Sequence, residues 1–195
     1  MAENNIDSLP RKVLVLNVWL TQGLLAVLSF IAGLFVFDHF SSFIQLWQFS
    51  WKNLVLYGIT FSFVIILFNV LFSKIVPEEW FDDGGINEKL FGQSTVGEIL
   101  LLSLVIAICE ETFFRGMLQS QFGLIVASII FACIHFRYLK NFFLFSFILG
   151  VSIMFGVLFE LTGSLTINVF THFVIDSVLG LVLLYDNKKR NRIDE

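Results

Sequence analysis

The strongest constraint on this chain is its first apolar run. After Arg11 and Lys12, the 25 residues from Val13 to Phe37 contain no charge. A helix needs roughly 20 apolar residues to cross the ~30 Å hydrocarbon layer of a bilayer. The run is longer than the apolar core of a cleavable signal, and no small-x-small cleavage pattern follows it, so it is read as a retained first span. Five further runs qualify or nearly qualify. They are Asn53 to Phe72, Val96 to Leu118, Phe122 to about Leu139, Phe142 to Leu161, and Ser164 to Tyr185.

Composition agrees with lipid as the main solvent. Hydrophobic residues make up 57% of the chain and charged residues only 14%, whereas soluble domains carry about 25% charge. The runs lack the two-residue alternation of barrel strands. Backbone amides inside lipid must pair within their own segment, so continuous apolar runs are helical. The expected fold is all-α, a polytopic membrane helix bundle of about six transmembrane helices. Residues 1–94 form an N-terminal two-span region with a polar loop, 95–185 a core of four spans, and 186–195 a basic tail.

With six spans and the N-terminus inside, ten Lys and Arg fall on the inner side and two, Lys52 and Arg115, on the outer. That asymmetry predicts a multi-pass cell-membrane protein with both termini in the cytoplasm. The net charge of −4 and the absence of a basic patch outside the tail argue against a nucleic-acid partner. Cys109 and Cys133 lie in apolar runs and read as small packing residues, not as a disulfide framework. His39 lies in a connection, without a partner at helical spacing. Glu98 falls near the start of the third span, where a helix N-terminus favours an acid. The acidic loop from Glu78 through Asp82 to Asp83 reads as solvated surface.

Besides Glu98, Arg137 and Glu160 near the run ends, six ionisable residues fall inside the apolar runs: Glu110, Glu111 and Arg115 in the third, His135 in the fourth, His172 and Asp176 in the sixth. An ionised group near a helix centre costs about 2.5–3.5 kcal/mol on insertion scales, so such groups point to function and to partners. Glu111 and Arg115 are four apart and share a helix face, as do His172 and Asp176. Glu110 is turned about 100° from Glu111 and faces a different neighbour. Three helices can thus direct Glu110, His135, His172 and Asp176 to one point.

These residues fall into three short motifs: Glu110-Glu111-Thr112-Phe113-Phe114-Arg115, Phe131-Ala132-Cys133-Ile134-His135, and His172-Phe173-Val174-Ile175-Asp176. In this order, each on its own span, they resemble the CPBP family, also called the Abi or type II CAAX prenyl protease family, of intramembrane endopeptidases. The resemblance covers about Gly97 to Leu184. It implies hydrolysis of a peptide bond in a membrane-associated peptide or protein substrate. Carried over, Glu110 is the general base and His135 its partner. Glu111 paired to Arg115 is scaffold, and His172 with Asp176 serves the tetrahedral oxyanion. Some members carry Asn where this chain has Asp176. An ionised Asp cannot donate to an oxyanion, but it can orient His172.

No cofactor is favoured. A divalent metal such as zinc, held by Glu110, His135, His172 and Asp176, is the alternative, since two His and a carboxylate can form a catalytic zinc site. The His-Glu-x-x-His signature is absent. A non-catalytic membrane immunity or regulatory protein of the same fold is the rival function. A small transporter using the buried charges as a relay is a third.

Overall fold

The computed structural model describes residues 10–81 and 83–193. Asp82 of the acidic loop, the first nine residues and the last two lie outside the described residues. Long helices account for nearly all of the chain: α1 (Arg11–Val36), α2 (Trp51–Ile75), α3 (Val96–Glu111, continued by a π-helical stretch, Thr112–Gln119), α4 (Ser120–Ile134), α5 (Phe142–Thr162) and α6 (Leu165–Ile193). The all-helical expectation holds, and among the described residues there is no strand.

The count of six needs refinement. Five helical stretches are long and apolar enough to cross a membrane, because the third and fourth runs join as one stretch from Val96 to Ile134. Gly123 divides it. Its φ of 80° and ψ of 168° lie where only glycine is at ease. Phe131 packs on both Phe114 and Arg115, so the chain folds back at this glycine. The leg beyond it, residues 124–134, is only about 16 Å long. The fourth run was expected to reach Leu139. It stops as an α-helix at Ile134, and a short 3-10 turn, Phe136–Lys140, follows.

The start of α3 is well fixed. Thr95 Oγ1 accepts from the Glu98 amide at 3.2 Å, and Glu98 Oε2 accepts from the Thr95 amide at 2.8 Å. This reciprocal capping box satisfies two donors that the first helical turn would leave bare. Arg11 at the start of α1 reaches the same carboxylate at 3.2 Å, which sets α1 parallel to α3.

α6 runs antiparallel to α3 in close contact. A Cβ at Gly180 would lie 2.9 Å from Ile99 Cγ2 and 3.2 Å from Phe91 Cδ1. Lipid tails are as apolar as leucine, so helices in a bilayer associate through close packing, and small residues at the interface permit it. α6 also continues past Tyr185 through the basic tail. Asn187 there donates to the Gly92 carbonyl at 2.7 Å, and Arg190 pairs with Glu88. α2 runs alongside α6, with Thr171 Oγ1 donating to the Gly58 carbonyl at 3.3 Å. The start of α1 and the end of α6 therefore sit at one end of the bundle.

Two polar connections are more ordered than the sequence suggested. The segment after α1 holds a short helix, Phe40–Gln45, and the loop after α2 holds two, Glu78–Phe81 and Ile86–Phe91. Both cysteines are free; Cys109 is half-buried, but Cys133 faces outward and is not a core residue.

Candidate active site

The site is built where α1, α3, α4, α5 and α6 meet. Glu111 lies at the end of the α-helical part of α3 and is fully buried. Its Oε2 accepts from Arg115 Nε at 3.2 Å and from Asn168 Nδ2 at 3.1 Å. Its Oε1 meets His172 Nδ1 at 2.9 Å. The carboxylate thus ties the π-helical part of α3 to α6. A π-helical stretch has a wider turn than an α-helix, and such stretches recur at functional positions.

Arg115 is also fully buried. Besides Glu111 it donates to Ser152 Oγ on α5 at 3.1 Å. Its guanidinium lies 5.6 Å from the Phe131 ring centroid and 5.9 Å from that of Phe155. Aromatic faces on two helices thus supply the electron-rich surroundings that a guanidinium deprived of water needs.

His172 faces two carboxylates. Nδ1 meets Glu111, and Nε2 lies 3.4 Å from Asp176 Oδ2. A carboxylate only accepts, so the ring bonds both only when both nitrogens carry protons. Two acids and two bases then balance, which makes the quartet Glu111, Arg115, His172 and Asp176 tolerable inside a bundle. The Phe155 ring, at 4.9 Å between centroids, packs against the imidazole.

Glu110 belongs to a separate system. Its Oε1 accepts from Gln22 Nε2 on α1 at 3.1 Å. His172, His135 and Asp176 all lie within electrostatic reach of it. His135 follows the last residue of α4. Its Nδ1 is 2.9 Å from the Phe131 carbonyl, and a carbonyl can only accept, so Nδ1 carries a proton and Nε2 is the nitrogen that offers a lone pair when the ring is neutral. The Tyr138 ring stacks parallel to the imidazole, 5.9 Å between centroids. Tyr138 is itself buried, and that burial pushes its phenol above the usual tyrosine range.

His135 and Asp176 are partly open, the latter with 26% of its side chain exposed, while Glu110 is buried. Two grooves, of about 460 Å³ between α2 and α5 and 570 Å³ between α1 and α3, are lined by none of Glu110, His135 and His172. Among the described residues no three His, Cys, Asp or Glu side chains stand close enough to hold a metal ion. Of the four donors considered for zinc, His172 and Asp176 are in contact, and both nitrogens of His172 already meet carboxylates.

Sequence reasoning missed Gln22, Asn168 and Ser152. Asn168 was within reach, because it precedes His172 by four as His172 precedes Asp176, on one helix face. Gln22 and Ser152 are two among several uncharged polar residues scattered in apolar runs, and no spacing singles them out.

A polytopic helical membrane protein with a buried acid, arginine and histidine cluster is the class that fold and site define. Residues 92–178 match the family described as type II CAAX prenyl endopeptidase Rce1-like. A relative in Bacillus subtilis (strain 168), the uncharacterized protein YpbD, is 36% identical over 176 residues, covering 90% of this chain and 93% of the relative. The chain belongs to this Rce1-like family. No solved structure matches it.

Proposed function

We propose that this chain is an intramembrane endopeptidase that hydrolyses a peptide bond of a membrane-associated polypeptide by activating water between Glu110 and His135. The observation that carries the reading is the separation of the two adjacent acids. Glu111 is consumed by structural partners, whereas Glu110 has one neutral donor and lies within electrostatic reach of His135, His172 and Asp176.

In the proposed reaction Glu110 takes a proton from water while the water oxygen attacks the scissile carbonyl carbon. His135, with its Nε2 lone pair free, holds the water from the other side. The developing oxyanion is met by His172 Nε2–H, whose bond to Asp176 is long at 3.4 Å and gives way to a nearer acceptor. Collapse of the tetrahedral intermediate breaks the carbon–nitrogen bond, and Glu110 returns the proton to the leaving amine. No step is routed through a metal. The start of α1 and the end of α6 share one end of the bundle, and the Lys and Arg excess there supports the reading of that end as cytoplasmic, in a cell membrane.

The test uses purified protein in liposomes with a pooled library of quenched fluorogenic peptides. Cleavage by the wild type, lost in Glu110→Ala and in His135→Ala while both variants stay folded in the membrane, is the expected outcome. Full biological effect in cells carrying Glu110→Ala would instead favour a non-catalytic immunity or regulatory protein.

A further inference from the structure

Gln22 is an amide in the uncharged, mostly apolar stretch of α1, and it is only 5% exposed. It shares the narrow buried stripe of α1 with Leu14 and Ser29, each about two turns away. Its Nε2 donates to Glu110 Oε1 at 3.1 Å, and its own Oε1 is buried without a partner. A buried amide left half-satisfied is costly, so packing alone is a poor account of a glutamine here. Gln22 also lies far outside residues 92–178, which carry the family match.

We infer that Gln22 is a positioning residue for Glu110, so that the first helix completes the site. The terminal torsion of a glutamate side chain has a broad, weakly held range. A fixed N–H on one carboxylate oxygen narrows that range and leaves the second oxygen for the proton of water. The inference rests on the reading of Glu110 as the general base. A structural role alone would make Gln22 an interhelical hydrogen bond that holds α1 to α3 and leaves the chemistry of Glu110 untouched.

Full-length protein in liposomes separates the two roles. Wild type is compared with Gln22→Leu and Gln22→Met, which keep the side chain's bulk, and with Ser29→Ala, which alters the same stripe of α1 without touching Glu110. The infrared carboxyl bands assigned to Glu110 by their loss in Glu110→Gln should move in both Gln22 variants and stay in place in Ser29→Ala. On a quenched fluorogenic peptide selected from a pooled library for cleavage by the wild type, kcat should fall on the order of 10- to 100-fold in both Gln22 variants with KM nearly unchanged. Unmoved Glu110 bands in the Gln22 variants, or bands that move while kcat stays at the wild-type value, overturn the inference, even if stability drops. A wild type that cleaves no library member counts against the hydrolytic reading, and the infrared bands then decide the contact by themselves.

Discussion

Glu110 and Glu111 are adjacent in the chain yet belong to different hydrogen-bond systems. Glu110 turns toward α1 and accepts from Gln22, while Glu111 turns toward α6 and holds Arg115, Asn168 and His172. A helix places successive side chains about 100° apart, so one dipeptide serves two neighbours. Glu111 is fully enclosed and neutralised by buried cations. Glu110 is also buried, but it has one neutral donor and lies within electrostatic reach of His135 and Asp176, both of which are partly open.

Arg115→Leu should be strongly destabilising. It removes a fully buried cation from a fully buried acid, and breaking such a pair from one side typically costs about 3–5 kcal/mol. Ser152→Ala removes one hydrogen bond from the same guanidinium and should cost about 1 kcal/mol. Thermal unfolding in detergent, compared between these two variants, checks the difference.

Gly123→Ala should destabilise the α3–α4 hairpin through the backbone alone. A Cβ there would meet nothing within 4 Å, yet the φ of 80° strains any other residue. The cost is on the order of 1–3 kcal/mol. Gly97 provides the control, since its Cβ would also meet nothing within 4 Å, at a helical position. Gly97→Ala should be neutral or stabilise by up to about 1 kcal/mol. Opposite shifts in melting temperature are the expected readout.

Gly180→Val should separate α6 from α3. Its branched side chain would press on Ile99 and Phe91, which already stand within 2.9 and 3.2 Å of where a Cβ would be. Overpacking of this kind costs about 1–3 kcal/mol. A cysteine pair engineered across this contact, tested for cross-linking with and without the substitution, would report the separation.

Much of the bundle was legible because lipid forces apolar runs into helices, and the three motifs were legible because a spacing of four marks one face. The chain reversal at Gly123 was not. Glycine is common inside membrane helices, and only its left-handed backbone distinguishes a break from a packing site. The helical tail was equally hidden, since Lys188, Lys189 and Arg190 read as a polar stop, while the Asn187 bond to Gly92 that anchors the helix is a tertiary contact. Gln22 lies on a span that the motifs do not reach, so only proximity in three dimensions connects it to Glu110.

The most direct test compares Glu110→Gln with Glu111→Gln, measuring melting temperature and peptide cleavage on the same liposome preparations. The account predicts that Glu110→Gln keeps the wild-type melting temperature and loses cleavage by about 100-fold or more, and that Glu111→Gln melts well below the wild type because Arg115 and His172 lose their shared counter-charge. Cleavage that survives in Glu110→Gln, or a Glu111→Gln protein as stable as the wild type, would contradict it.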